Sequence, residues 1–474
     1  MSELLAQAAT GHANTQFARA FDTAWLKTNL PRHLCRDQEA PGAIAQVEII
    51  NAWESSKRTT VHYQLDFVEA NGQRRKQMYV GFLVTAEQLD DEYKSILRKA
   101  KQPPAIGPAA ALIAEANLIL LAYPNDRKMQ LLSETQLQPW LAANLHEVAN
   151  GALADASWQV QATSVEMLRY VPEKRFTARC TAELKTASGA ATKIVFIVKQ
   201  LNDGPKAKKL YRDLQSLCRA WPDEEITPVR FPRELALDED RGAVFIEALS
   251  GDNLKQVLFD LDLSQIMPAV GRLLADFHRA QKRVRKKITV KNELAENREA
   301  AGIIVKTLPQ YKLRLKKLIE AFKAFEWNDG TAPVLLHGTF RLNHIFLVDD
   351  GLALLDLDSL RMGHPAYDIA NLLSSLYYLE EAHGRISAAM RREISRYFLA
   401  GYAEKMAHPV SPPAVLWFLA SLMINKQAKK YVAHSHENCE AKVERMLALA
   451  ETVLALGREA PRELTLAALW QKLP

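Results

Sequence analysis

The sequence predicts an α+β fold with two lobes, a small β-rich lobe followed by a large helical one, and an additional N-terminal α+β domain. β-Branched and aromatic runs typical of strands fill residues 47–84 and again 165–199. Beyond about residue 252 apolar residues recur every three or four positions, as from Ile266 to Phe277 and from Tyr311 to Phe325, which indicates amphipathic helices. The 474 residues are enough for two or three domains, and we expect these at 1–155, 156–250 and 251–474.

The composition is that of a soluble globular protein, with 48% hydrophobic and 24% charged residues. A net charge of +6 over this length is mild and argues against a nucleic-acid partner. The N-terminus lacks a secretory signal, and the most apolar stretch, 105–123, is interrupted by Gly107, Pro108 and Glu115. Four scattered cysteines without CxxC spacing argue against structural zinc and disulfides. We therefore expect a cytoplasmic protein with no membrane partner.

The two strand-rich blocks resemble one another, and a helix is predicted between them from Leu131 to Leu153. Val47-Glu48 stands 118 positions before Val165-Glu166. With a one-residue gap, four further residues stand 117 positions before identical ones: Lys57, Arg58, Thr60 and Gly72 before Lys174, Arg175, Thr177 and Gly189. The blocks are either an internal duplication or two unrelated antiparallel sheets. In this alignment Phe82 falls where Lys199 falls.

The most specific pattern lies in residues 334–373, VLLHGTFRLNHIFLVDDGLALLDLDSLRMGHPAYDIANLL. This segment resembles the catalytic segment of the aminoglycoside phosphotransferase and choline kinase group. There His-Gly-Asp, four residues and Asn precede Ile-Asp-Trp-Glu and Gly-Asp-Pro-x-x-Asp-Leu-Ala. Six positions match at the family's spacing: Asp356, Asp358, Gly363, Pro365, Asp368 and Ala370. The resemblance implies a protein-kinase-like fold with a β-rich N-lobe and a helical C-lobe.

Phosphoryl transfer needs a divalent cation bridging nucleotide phosphates, held by a carboxylate at the end of a short strand. Asp356 follows the apolar run LALL and is the predicted metal ligand. Asp358 either shares the metal or orients the loop. Asp368 stands just before an apolar helical pattern and is predicted to cap that helix.

The first half of the segment departs from the family. Thr339 stands where the family has its catalytic Asp, and a threonine hydroxyl is a poor base near neutral pH. His344 replaces the metal-binding Asn, and imidazole suits manganese or zinc better than magnesium. Asn343 could substitute only if the loop slips by one residue. His337 is retained, and the resemblance gives it a scaffold role near Asp356.

On the nucleotide side, Lys199 ends the run IVFIVK, where a kinase places the lysine that pairs the α- and β-phosphates. The alternative is an edge strand with Lys199 in water. The turn containing Lys174 and Arg175 stands in place of a glycine-rich loop. Asp213 is the candidate acidic partner in the following helix. The resemblance places the backbone of Glu247 to Leu249 against adenine.

Three functions remain open. The first is a protein that binds ATP or another nucleotide with Mg or Mn but has weak or no kinase activity, a regulatory or scaffolding pseudokinase. The alternatives are an active phosphotransferase on a sugar or other small hydroxyl compound, and a kinase-like nucleotidyltransferase. The partner is a small molecule or a protein. The basic run 279–291 is either a solvated segment or a docking site for an anionic partner.

Overall fold

The computed structural model describes residues 15–34, 43–54, 58–69, 72–149, 158–220, 230–280, 282–327, 329–349, 351–383, 386–406, 410–433, 438–460 and 464–474. The chain forms two compact units. The first runs to Tyr211 and includes Glu234–Ala248, and the second contains Arg212–Arg233, Leu249–Val432 and Asn438–Pro474. The three predicted domains stay a prediction, because one compact unit can contain more than one domain.

The strands are β1 (Ala43–Glu54), β2 (Thr59–Val68), β3 (Arg74–Leu83), β4 (Ala110–Ile113), β5 (Leu118–Ala122), β6 (Gln159–Val171), β7 (Arg175–Lys185), β8 (Ala191–Leu201), β9 (Glu234–Asp238), β10 (Ala243–Glu247), β11 (Asp252–Asn253), β12 (Val334–Leu336), β13 (Ile345–Val348), β14 (Gly351–Leu354) and β15 (Arg361–Gly363). The α-helices are α1 (Thr15–Arg19), α2 (Thr23–Asn29), α3 (Pro31–Leu34), α4 (Leu89–Leu97), α5 (Glu134–Ala149), α6 (Gly204–Ala220), α7 (Leu254–Val257), α8 (Leu263–Arg279), α9 (Val290–Thr307), α10 (Lys312–Lys323), α11 (Ala366–His383), α12 (Ala388–Lys405), α13 (Pro412–Leu422), α14 (Lys429–Ala433) and α15 (Cys439–Glu459). A π-helical segment, Met423–Ala428, joins α13 to α14.

The first unit contains two five-stranded sheets with the same topology. Their strand orders are β1-β2-β3-β5-β4 and β6-β7-β8-β10-β9, and neighbouring strands are antiparallel throughout. In each sheet a helix, α4 or α6, follows the third strand. The third strand is therefore the centre of each sheet, with two strands on either side.

The residue equivalences suggested by the sequence fall on one register. Thr60 pairs with Phe82 in the first sheet, and Thr177 pairs with Lys199 in the second. The pairing of β1 shifts just after Ile49, and that of β6 shifts just after the equivalent Met167. These matches support a duplication. Lys57, the proposed counterpart of Lys174, lies outside the described residues.

The two sheets stack face to back. Met78, Val80 and Phe82 project from β3 into a cluster with Phe196 and Val198 of β8. Strand alternation places Lys199 on the opposite face of the second sheet. Helices α1–α3 cover the other face of the first sheet in a second cluster, which includes Leu26, Leu30, Tyr63, Leu65 and Phe67.

The second unit is mainly helical. Its short strands form a three-stranded sheet, β11-β13-β14, and a β12-β15 pair. These two pieces hold the ends of the segment 337–344, which runs from β12 to β13. The predicted helices around Ile266–Phe277 and Tyr311–Phe325 are confirmed as α8 and α10. The α+β class, with antiparallel sheets first and helices later, is also confirmed.

Three further observations apply within the described ranges. Helix α5 fills most of the helix predicted at Leu131–Leu153, and residues 150–153 lie outside the description. No described helix is both long and apolar enough to cross a bilayer. Cys180 and Cys439 are buried free thiols. Cys35 and the side chain of Cys218 lie outside the described part of the chain.

Candidate functional site

A buried carboxylate holds the start of the segment 337–344. Asp368 is fully buried and accepts hydrogen bonds from the backbone N–H groups of His337 (2.6 Å) and Gly338 (2.8 Å). Burial raises the pKa of Asp368, but the contact with His278 at 3.4 Å and the loop N–H groups hold it below its usual value. The prediction that Asp368 caps the helix was wrong, because it is the third residue of α11 and its oxygens face the loop.

His337 connects this loop to the residue before Asp356. Its Nε2 donates to the carbonyl oxygen of Leu355 at 2.8 Å. Burial lowers the pKa of His337, so the ring is neutral and Nδ1 is an acceptor. The Thr339 N–H donates to Nδ1 at 3.3 Å, and the Thr339 hydroxyl lies 3.4 Å from it. This is the scaffold geometry that the resemblance implied for His337.

His344 lies against Asp356. Its Nδ1 donates to the carbonyl oxygen of Thr339 at 2.9 Å, and its Nε2 lies 3.3 Å from Asp356 Oδ2. Burial lowers the pKa of His344 to about 3, so at neutral pH the ring carries one proton, which Nδ1 holds. The Nε2 lone pair therefore faces a carboxylate oxygen. Two acceptors at this distance need a proton or a cation between them.

The donor pair fits a divalent cation that accepts nitrogen as well as oxygen. A histidine whose Nδ1–H is fixed by a backbone carbonyl presents Nε2 as a ligand, which suits manganese or zinc better than magnesium. The Asp356 side chain is 28% exposed, so a ligand can reach it. Among the described residues no group of three or more His, Cys, Asp or Glu could hold a metal. Asp358, in the 3-10 turn after Asp356, therefore does not complete a three-ligand cluster with this pair.

In the first unit, Lys199 lies on the central strand of the second sheet. It pairs with Thr177 of β7 and with Val244 of β10, and it is half-buried. The alternative of an edge strand is therefore wrong. A half-buried lysine on a central strand needs an anionic or polar partner, because desolvating an ammonium group without one is costly.

The turn that stands in place of a glycine-rich loop is fixed by the first sheet's loops. Glu173 has a left-handed φ of 61°, and its carboxylate contacts Arg58, Arg127 at 3.4 Å and Lys128 at 3.7 Å. Its backbone N–H donates to Asp126 at 2.8 Å. Glu173, its three cationic partners and Lys174 line an open pocket of about 950 Å³. Arg175 begins β7 and is half-buried.

Asp213, the candidate partner of Lys199, contacts a lysine of the basic run. Lys282 Nζ lies 3.8 Å from its carboxylate and donates to its carbonyl oxygen at 2.6 Å. The Lys282 side chain is only 5% exposed, and Arg283 donates to the carbonyl oxygen of Pro333 at 3.0 Å. Part of the run 279–291 thus serves the fold. Its anionic partner, and a pairing of Asp213 with Lys199, stay predictions.

The backbone predicted to contact adenine, Glu247 to Leu249, belongs partly to the first compact unit and partly to the second. Glu247 ends β10 opposite Phe196. Leu249 is buried with Val348 and Ala353 in the second unit. The adenine contact stays a prediction.

Two cations beside the loop were missing from the sequence-based prediction. Lys426 Nζ lies 2.5 Å from Asn371 Oδ1 and 3.5 Å from the carbonyl oxygen of Gly338. Arg361 packs so close to Gly338 that its Nε would lie 2.7 Å from a Cβ there. Arg361 lies inside the segment 334–373, and its positive charge there could have marked it as a candidate site residue. Lys426 is distant in sequence, and no pattern marks it.

Residues 188–407 match the model of the phosphotransferase enzyme family, APH. Among solved structures, the chain is similar to a choline kinase from Cryptosporidium parvum Iowa II, with 14% identity, a TM-score of 0.43, and 62% of this chain and 91% of that chain covered. It is also similar to the apo form of a thermostable mutant of aminoglycoside phosphotransferase APH(4)-Ia, with 13% identity, a TM-score of 0.42, and coverage of 62% and 96%.

A third similar structure is the amicoumacin kinase hAmiN in complex with AMP-PNP, Ca²⁺ and Ami. The identity is 14%, the TM-score is 0.40, and the match covers 60% of this chain and 87% of that one. No curated protein matches this sequence. The resemblance recognised in residues 334–373 is confirmed by the family match, which includes that whole segment.

Proposed function

Because residues 188–407 match the phosphotransferase enzyme family, we propose that the chain binds a nucleotide with a divalent cation and has little or no phosphoryl-transfer activity. Its role is then regulatory or scaffolding. The observation that carries this proposal is the His344–Asp356 pair, whose Nε2 and Oδ2 atoms lie 3.3 Å apart.

The binding half of the proposal rests on the retained Asp356 and Lys199 and on His344, which stands in place of the family's Asn. His344 and Asp356 would hold the cation, whose chemistry is to neutralise nucleotide phosphates. Two protein donors leave most of the coordination sphere to phosphate and water, so cation and nucleotide should bind together. Lys199, on a central strand, is the residue that the resemblance assigns to the α- and β-phosphates.

The low-activity half rests on Thr339. Its hydroxyl and N–H both lie within 3.4 Å of His337 Nδ1, a neutral nitrogen already engaged in the scaffold. A hydroxyl in this place cannot accept the proton of an acceptor alcohol near neutral pH. Positioning of the reacting groups dominates phosphoryl transfer together with charge neutralisation. Loss of the family's catalytic Asp, which positions the acceptor hydroxyl, should therefore slow the reaction severely.

The binding test is thermal unfolding with ATP, ADP and GTP, each with Mg²⁺, Mn²⁺ or Zn²⁺. A nucleotide at one hundred times its dissociation constant should stabilise the fold by about 2.7 kcal/mol, most strongly with Mn²⁺ or Zn²⁺. Asp356→Ala should abolish the cation-dependent part, and His344→Asn should shift the preference toward Mg²⁺. Asp349→Ala, in the exposed turn after β13, is the matched control and should behave like wild type. Absence of stabilisation by every combination would refute nucleotide binding.

The activity test is incubation with γ-labelled and, separately, α-labelled ATP, in the presence of cell metabolites or protein extract. We expect no transfer from either position by the wild type. Robust γ-phosphate transfer would establish an active phosphotransferase instead, and transfer from the α position alone a nucleotidyltransferase. The double variant Thr339→Asp, His344→Asn restores both family residues and tests for a latent active site.

A further inference from the structure

Three cationic side chains from separate elements lie close enough to interact beside the segment 337–344. Arg341 lies in the loop itself, Arg361 begins β15, and Lys426 lies in the π-helical segment. Arg361 and Lys426 both contact Gly338. Both also approach the Tyr367 ring, with Arg361 Cζ 5.8 Å and Lys426 Nζ 5.3 Å from its centroid.

Two of these cations, Arg361 and Lys426, make their direct contacts with neutral groups and not with any described carboxylate. Arg361 Nε donates to the carbonyl oxygen of Ser359 at 2.9 Å, and Lys426 Nζ donates to the Asn371 side chain at 2.5 Å. Neither forms an ion pair with a described Asp or Glu. Burial and the nearby charges of Arg341 and Arg361 lower the pKa of Lys426 to about 7, against the opposing effect of Glu293 and Asp368.

The two acidic groups that act on Lys426, Asp368 and Glu293, are already engaged elsewhere. Asp368 accepts the N–H groups of His337 and Gly338. Glu293 is buried in α9 and accepts hydrogen bonds at 3.0 Å from both Ser421 Oγ and Asn425 Nδ2. Among the residues that the structure describes, the direct acceptors for the Arg361 and Lys426 charges are thus neutral oxygens and one aromatic ring.

Arg361 and Lys426 are costly to hold side by side unless an anion meets them. Like charges brought together out of water repel each other, and each loses hydration. Arg341, Arg361 and Lys426 are all half-buried, so part of each side chain is open to a ligand. Two guanidinium groups and an ammonium suit phosphate oxygens, and three positive charges favour a doubly charged phosphate over a singly charged carboxylate.

We propose that Arg341, Arg361 and Lys426 bind the phosphate group of a small hydroxyl compound beside Thr339. This inference deepens the proposed function. It rests on that function because it takes the segment 337–344 as the acceptor side of a phosphotransferase-like site. It names the ligand class as a phosphorylated, anionic small molecule. A sugar without charge or a polycationic compound does not match this charge pattern.

The probe is inorganic phosphate, titrated by calorimetry against the full chain without nucleotide, with sodium chloride at matched ionic strength as the blank. We expect saturable binding to the wild type. Arg361→Gln and Lys426→Met should each weaken it by about tenfold or more, because each removes a charge-assisted hydrogen bond. Lys429→Gln is the control, since Lys429 pairs with Glu299 at 2.9 Å, and it should bind like wild type.

Folding of each variant is checked by circular dichroism and thermal unfolding, and Arg361→Lys should retain part of the phosphate affinity. No saturable binding to the wild type, or equal binding by the wild type and folded Arg361→Gln, would overturn the proposal. A second titration is made with saturating ADP and Mn²⁺. Unchanged phosphate affinity supports a separate ligand, whereas complete competition would mean that the cations serve the nucleotide and would overturn it. Phosphate binding is read without nucleotide, so this result is independent of whether nucleotide binding itself fails.

Discussion

The two five-stranded sheets of the first unit share a strand order but differ in what their central strands present. At equivalent positions the first sheet has Phe82, 1% exposed, and the second has the half-buried Lys199. The Phe82 face is covered by the back of the second sheet. A shared topology therefore does not imply a shared site. The face that carries a cation in the second sheet is filled with apolar side chains in the first.

The largest expected effect is a loss of stability on substitution of Phe82, the buried member of this pair. Phe82→Ala should lower the free energy of unfolding by about 3–5 kcal/mol, because it opens a cavity between the sheets. It also removes the ring beneath Arg58 and Arg127, whose Cζ atoms lie 4.8 and 5.5 Å from its centroid. Lys199→Ala should cost less than about 1 kcal/mol. Urea unfolding measures both, and equal losses would contradict the proposed division of roles.

A second prediction concerns Asp126, which ties a first-sheet loop to the turn before β7. It accepts four hydrogen bonds of 2.7–2.9 Å, from the N–H groups of Lys128, Met129 and Glu173 and the hydroxyl of Tyr170. Asp126→Ala should destabilise the protein by about 2–4 kcal/mol, because it leaves these donors without their acceptor. Amide exchange should accelerate across residues 173–175. Unchanged exchange there would show that the turn holds its shape by itself.

A third prediction separates binding from stability. If Lys199 meets nucleotide phosphates, Lys199→Met should weaken ATP binding by about tenfold, the loss of one charge-assisted hydrogen bond. The free energy of unfolding should change by less than about 1 kcal/mol. Lys193→Met, an exposed lysine on the same strand, is the control for charge alone. Calorimetric titration of the two variants decides the matter, and equal affinities would remove Lys199 from the site.

The smallest expected effect tests the equivalence of the two sheets. Gly72 and Gly189 occupy corresponding hairpin turns with φ of 81° and 90°, and a Cβ at either would meet no atom within 4 Å. Gly→Ala at each should therefore cost about 1 kcal/mol, from backbone strain alone. The two costs should agree within about 0.5 kcal/mol. A clear difference between their unfolding curves would show that the turns are held differently.

Much of the fold could be predicted because its signals are local. The strands around Val47–Val84 and 165–199 and the amphipathic helices follow from periodicity and side-chain type. Strands β4 and β5 were not predicted, since their Ala- and Leu-rich sequence has little intrinsic strand preference and pairing with β3 decides it. Their place in the sheet is set by tertiary contacts.

The candidate site divides in the same way. Asp356 could be placed from the spacing of its motif. Asp368 was assigned a cap because it stands next to a helical pattern, while its true partners, His337 and Gly338, are some thirty residues away. The tautomer of His344 depends on the Thr339 carbonyl, and the position of Lys426 depends on how distant helices pack. Such long-range contacts leave no pattern in a single sequence.

The face-to-back stacking of the sheets has a consequence for assembly. Unlike a two-fold contact, it joins two different surfaces, so it has a direction and does not close on itself. Helices α1–α3 occupy the one face of the first sheet on which another sheet could be added, and they act as the end cap of a two-layer array. A chain lacking residues 1–34 would expose the apolar face that carries Tyr63, Leu65 and Phe67. Such chains should then associate with one another through this apolar face.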